Sequence, residues 1–66
     1  MILYEITAIV RPMHSNGEDH AERPLTWNVA APTEHQARWL FCEDLYRRHL
    51  VVSYFDPVTV KGPWDG

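Results

Sequence analysis

The sequence predicts an α+β domain with the element order ββαβ, in which a three-stranded antiparallel sheet (order 2-1-3) carries one helix packed on one face. Three observations support this fold class. Two stretches place apolar residues at every second position, which is typical of half-buried strands. A helix-start signal and an apolar stripe with helical spacing follow them. A run of β-branched and aromatic residues then predicts a third strand.

The first two strands are separated by a long polar segment. Apolar residues fill the even positions from Ile2 to Val10, and alternation returns from Leu25 to Ala31. The stretch between them, RPMHSNGEDHAERP at residues 11–24, therefore becomes a loop, with Asn16-Gly17 as its turn signal. Loops of this length are commonly functional.

The helix begins after Pro32, where Thr33 can cap the free backbone N–H groups and Gln36 stands at the third position of a capping box. It is expected to end near His49. Successive residues of a helix are rotated by about 100°. One group of side chains is therefore expected to face the sheet, with two aromatic residues on its flank. The sheet-facing group is Ala37, Phe41, Cys42 and Leu45, and the flank carries Trp39 and Tyr46. Cys42 is expected to be a small buried apolar residue.

The third strand is predicted from Leu50 to Phe55, and Asp56-Pro57 interrupts it before residues 58–60. Because proline cannot donate to a sheet ladder, this strand should lie at an edge or bend there. A right-handed crossover through the helix places it beside the first strand. The outer sheet face then carries Leu3, Ile9, Val51 and Phe55. Residues 61–66, with Trp64, are expected to form a tail that is mobile unless Trp64 folds back and docks on the sheet.

Length and composition predict a single small domain over residues 1–66. A chain of 66 residues buries only about 60% of its unfolded surface, so its stability is marginal. Cys42 is the only cysteine and excludes an intramolecular disulfide, which makes burial against a partner, including a homodimer, the expected supplement. The N-terminal stretch has no basic region before its apolar run and no small-residue cleavage site, and the run is too short to span a bilayer. A cytoplasmic protein without membrane contact is expected.

Charge argues against nucleic acid as the main partner, since the net charge is −3 and the sequence pI is about 5.7. The alternative of a nucleic-acid-binding regulator would use Arg11, Arg23, Arg47 and Arg48. A second alternative is a metal-binding module that uses the loop residues His14, Asp19 and His20. Their spacing matches no structural zinc pattern and no cysteine is near them, so no cofactor is expected.

Catalytic constellations are not supported by the sequence. His35, Cys42 and His49 recur every seven residues on the helix, but two turns separate successive members by about 10 Å. A nucleophile and its base must approach to about 3 Å. The chain also lacks a phosphate loop and the common hydrolase and metalloprotease motifs. We therefore expect a protein that is not an enzyme.

Aromatic residues carry the leading functional hypothesis, because Trp and Tyr dominate the energetics of protein interfaces. The expected contact residues are three aromatic side chains and the outer sheet face. They are Trp39, Tyr46 and Trp64, with Leu3, Ile9, Val51 and Phe55. The sequence thus predicts a small non-enzymatic module that binds another protein and self-associates.

The stretch TWNVAAPTEHQARWLF, a strand that ends in small residues before a capped helix, resembles the strand-to-helix junction of small ββαβ proteins, including the archaeal ribosomal LX type. The acidic balance departs from that of a ribosomal protein. In size, Arg and Trp usage and lack of motifs, the chain resembles the small accessory proteins of actinobacterial phages. That resemblance implies an accessory role such as inhibition of a host protein.

Overall fold

The computed structural model describes residues 1–13 and 22–65, and it confirms the α+β class with one helix on an antiparallel sheet. The elements in chain order are β1 (Ile2–Pro12), β2 (Arg23–Ala31), α1 (Glu34–Arg47), β3 (Leu50–Phe55) and β4 (Thr59–Pro63). The predicted metal ligands His14, Asp19 and His20 lie outside the described residues.

β1 is the central strand, as the order 2-1-3 predicts. β2 runs antiparallel along one side of it, while β3 and β4 share the other side. β3 pairs with the second half of β1 and β4 with the first half. Across the break between them, the Asp56 N–H donates to the Thr7 carbonyl at 2.9 Å. The interruption at Asp56-Pro57 therefore divides one edge strand into two.

The C-terminal segment is docked on the sheet, which is the second of the two arrangements expected for it. Lys61 to Pro63 belong to β4, and the Trp64 N–H donates to the Met1 carbonyl at 3.0 Å, which extends the pairing with β1. The first two strands are also longer than predicted, because β1 continues to Pro12 and β2 begins at Arg23. Four residues assigned to the loop by sequence are therefore part of the sheet.

The helix start is confirmed, because Thr33 Oγ1 accepts a hydrogen bond from the Gln36 N–H at 3.2 Å. The helix ends at Arg47, two residues before the predicted end. His49 follows with φ of 59°, in the left-handed region that commonly ends a helix. This conformation turns the chain directly into β3.

The core lies between α1 and the even-numbered side chains of β1. Phe41 is its largest fully buried side chain, with its ring centroid 5.2 Å from that of Trp27 and 5.9 Å from that of Phe55. The buried residues are Tyr4, Ile6, Ala8 and Val10 of β1, with Ala31, Ala37, Phe41 and Leu45. The predicted inward faces of β1 and α1 are thereby confirmed, except at Cys42, which is exposed.

Phe55 lies on the helix side of the sheet, so its predicted place on the outer face is wrong. The cause is a β-bulge: Ile9 pairs with Tyr54 but Val10 pairs with Val52, which leaves Ser53 as an extra residue. One extra residue reverses the alternation of side chains beyond it. Tyr54 consequently takes the outer position that strict alternation gives to Phe55.

Candidate protein-binding surfaces

The side of α1 that points away from the sheet carries Trp39, Cys42 and Tyr46, which we call the aromatic helix face. Trp39 precedes the buried Phe41 by two residues, a rotation of about 200° round the helix, and Tyr46 lies two turns further on. Their exposed fractions are 61% for Trp39 and 68% for Tyr46. These side chains therefore contribute little to the core, and they lie further from the sheet than the predicted flank position.

Cys42 lies between the two aromatic residues, about 100° round the helix from Phe41, which is why it is exposed rather than buried. Its neighbours still remove part of its hydration. This desolvation raises the pKa of the Cys42 thiol above its ordinary value. At neutral pH the thiol is therefore protonated and weakly nucleophilic, so it acts as an apolar contact within this surface.

A shallow apolar groove of about 290 Å³ adjoins the aromatic helix face, between α1 and β3. Leu45 belongs to the core beneath it, while Tyr46 from the helix and Val51 from β3 line its sides. Two residues predicted to bind a partner, Tyr46 and Val51, are thus brought to one surface. Val51 pairs with Arg11 on the outer face of the sheet, so it borders this groove from the edge of β3.

The outer sheet face is less continuous than the sequence suggests. Leu3 and Ile9 are half-buried at its two ends. Polar contacts occupy the middle: Glu5 forms an ion pair with Lys61 at 3.8 Å, and the hydroxyls of Thr7 and Thr26 are 2.8 Å apart. This face therefore presents two small apolar areas separated by a polar band.

Two aromatic side chains flank these areas. Tyr54 is exposed beside Ile9, and sequence reasoning missed it because no local signal marks the bulge at Ser53. Trp64 is 45% exposed and is held near Met1, at the start of β1. The groove lies beside β3, which pairs with the other half of β1, so Trp64 does not join Trp39 and Tyr46 in one surface.

A second groove, of about 410 Å³, follows the opposite edge of the sheet between α1 and β2. The exposed Leu40 and the half-exposed Asp44 contribute to it from the helix, and Asn28 and Ala30 from the strand. Nearby, the Arg48 guanidinium lies 5.1 Å from the Trp27 ring centroid and 3.5 Å from the Asp44 carboxylate. This edge is apolar and locally neutral.

The four arginines named for nucleic-acid binding all lie toward the end of the sheet where β1 ends. Strand alternation places Arg11 on the outer face and Arg23 on the helix face. Arg47 and Arg48 form ion pairs with Glu43 and Asp44 at 3.1 and 3.5 Å. The four side chains are thus divided between the two faces of the sheet, and two of them are paired with carboxylates.

Within residues 1–13 and 22–65, no group of three or more His, Cys, Asp or Glu side chains could hold a metal ion. Over the same residues, no helix is both long enough and apolar enough to cross a bilayer. In comparisons with known proteins, no family model, no curated protein and no solved structure matches the chain.

Proposed function

We propose that this chain is a non-enzymatic module that binds another protein through the aromatic helix face, and that it also self-associates. The observation that carries the proposal is the exposure of Trp39 and Tyr46 on the side of α1 opposite its core residues. Large aromatic side chains without a role in the core are the typical anchors of protein interfaces.

The groove beside β3 supports this assignment. Trp39, Cys42 and Tyr46 form an exposed row along about two turns of helix, and Val51 continues the apolar surface onto β3. The neutral Cys42 thiol adds no charge that a partner would have to desolvate. A partner that offers an apolar pocket or groove to the helix would bury all four side chains together.

The test is affinity capture from a lysate of the source cells, with the double variant Trp39→Ser and Tyr46→Ser compared with the wild-type chain. We expect the wild-type chain to retain a specific protein. The double variant should retain on the order of 10% of that amount or less, because two anchors of the interface have been removed. Both substituted side chains are mainly exposed, so the melting temperature should change little.

A matched control removes the exposed ion pair on the β2 side of the same helix, through Asp44→Ala and Arg48→Ala. This variant should retain the captured protein at the wild-type level, since an exposed pair of this kind contributes little. Equal capture by the aromatic double variant and by the control would contradict the proposed function.

A further inference from the structure

The free edge of β2 lacks the features that protect most edge strands from pairing with other chains. In the part of the chain that the structure describes, β2 pairs with β1 alone. Natural edge strands are usually interrupted by bulges, prolines or charged side chains. The opposite edge has such features: a register shift in each of β3 and β4, Pro57 between them, and Lys61.

By contrast, β2 keeps one unshifted register with β1 over nine residues, Arg23–Ala31. After Arg23 it contains no charged residue, and its one proline, Pro24, stands next to its start. A long, regular and uncharged edge strand favours pairing with another strand. The two edges of this sheet therefore differ in kind.

The hydrogen-bond pattern identifies which groups of β2 are open. In an antiparallel strand, the N–H and C=O of one residue point to the same side, and the side alternates along the chain. The Thr7 carbonyl accepts from Asp56, so the odd residues of β1 face β3 and β4, and the even residues face β2. Ile6 and its register partner Trp27 should therefore form a hydrogen-bonded pair.

It follows that the even residues of β2 direct their backbone groups away from β1. Thr26, Asn28 and Ala30 each present an N–H and a C=O along the free edge, and Pro24 presents a C=O only. The proline consequently causes no loss of bonding to β1. The open groups form a regular row that only another extended strand can complete.

We propose that this edge binds the same edge of a second copy, so that two β2 strands pair antiparallel about a two-fold axis and join the two sheets. This inference specifies the self-association part of the proposed function and leaves the aromatic helix face free. An axis near Trp27 sets Thr26 of each copy opposite Asn28 of the other. Both residues offer a donor and an acceptor there, as a ladder requires.

Charge supports a second copy as the occupant. The net charge of −3 would oppose self-association if it were spread over the contact, but β2 is uncharged from Pro24 to Ala31. The nearest helix charges, Asp44 and Arg48, are paired with each other at 3.5 Å. Two copies can therefore approach without like-charge repulsion, and the exposed Leu40 lies where it would be covered.

Sedimentation equilibrium of three variants tests the proposal. Asn28→Pro removes one outward N–H without removing a bond to β1, and Asn28→Lys brings two like charges near the axis. Each should weaken dimerisation at least tenfold relative to the wild-type chain. The control Asn28→Ala keeps the backbone N–H and should dimerise within about threefold of wild type, since an exposed substitution of this kind changes little.

Amide hydrogen exchange of the wild-type chain gives a second readout that needs no variant. The amides of Trp27 and Val29 should be protected at every protein concentration, because they bond to β1. Those of Thr26, Asn28 and Ala30 should gain at least tenfold protection only at concentrations where the dimer forms. Protection that depends on protein concentration at the even residues, and not at the odd residues, is specific to pairing at this edge.

Three results would overturn the proposal: a monomeric wild-type chain at millimolar concentration, undiminished dimerisation of both Asn28→Pro and Asn28→Lys, or amides of Thr26, Asn28 and Ala30 that exchange as fast in the dimer as in the monomer. Loss of the dimer in the Trp39→Ser and Tyr46→Ser variant alone would likewise overturn it, by moving the contact to the helix. None of these results changes the capture assay, so binding to another protein and pairing through β2 fail separately. A monomeric wild-type chain would remove the self-association part of the proposed function as well, whereas a dimer that forms elsewhere would remove only the β2 contact.

Discussion

At the residue scale, Phe41 links the two strands that flank β1. Its ring packs against Trp27 of β2 and Phe55 of β3, and it is almost completely buried. The substitution Phe41→Ala should lower the free energy of unfolding by about 3–5 kcal/mol. A core of this size supplies little more than that, so we expect extensive unfolding at 25 °C, measured by circular dichroism and urea titration.

Trp39→Ala is the matched control, since it truncates a larger aromatic side chain two residues earlier on the same helix. Trp39 is mainly exposed, and its removal should change the free energy of unfolding by less than about 1 kcal/mol. Similar losses for the two variants would contradict the assignment of Phe41 to the core and of Trp39 to a free surface.

At the element scale, the start of α1 depends on one side-chain contact. Thr33 Oγ1 accepts from the Gln36 N–H, a group that has no partner within the helix. Thr33→Ala should therefore cost about 1 kcal/mol and lower the melting temperature by about 4–8 °C for a domain of this size. Thr33→Ser retains the hydroxyl, and its melting temperature should stay within about 2 °C of wild type. An equal decrease in melting temperature in both variants would show that the cap does not act through this oxygen.

Sequence periodicity could predict the elements whose signals are local. The alternation of β1 and β2, the Thr33 cap and the stripe Ala37, Phe41 and Leu45 depend only on residue type and spacing, and the structure has each of them. The break at Asp56-Pro57 also follows from the missing N–H of proline. Together these fix the fold class and the strand order.

Other features depend on pairing between distant residues and have no local signal. The bulge at Ser53 arises where β3 aligns with β1, and it moves Phe55 inward and Tyr54 outward. β4 exists because β1 is long enough to pair with two segments on one side. The exposure of Cys42 depends on where the helix rests on the sheet. The residues of the candidate surfaces were therefore predicted only in part: Trp39 and Tyr46 were expected on the flank of the helix, and the structure places them further from the sheet and mainly exposed.

At the scale of the whole molecule, stability and self-association should be linked. A small domain has little core to stabilise it, and a second copy that binds only the folded chain shifts unfolding by mass action. Each tenfold rise in concentration above the dimer dissociation constant should add about 0.7 kcal/mol per chain. For a chain of this length, that corresponds to about 3–5 °C in melting temperature.

This dependence can be measured by differential scanning calorimetry over two decades of protein concentration. Wild-type protein and the Trp39→Ser and Tyr46→Ser variant should show the same slope, because the aromatic helix face takes no part in the β2 contact. Asn28→Pro should show this slope only from a concentration at least tenfold higher than the wild-type chain does, since the loss of one outward N–H weakens its dimer. A flat wild-type curve would mean that the 66-residue chain stabilises its sheet without a second copy, and that β2 stays unpaired at its free edge.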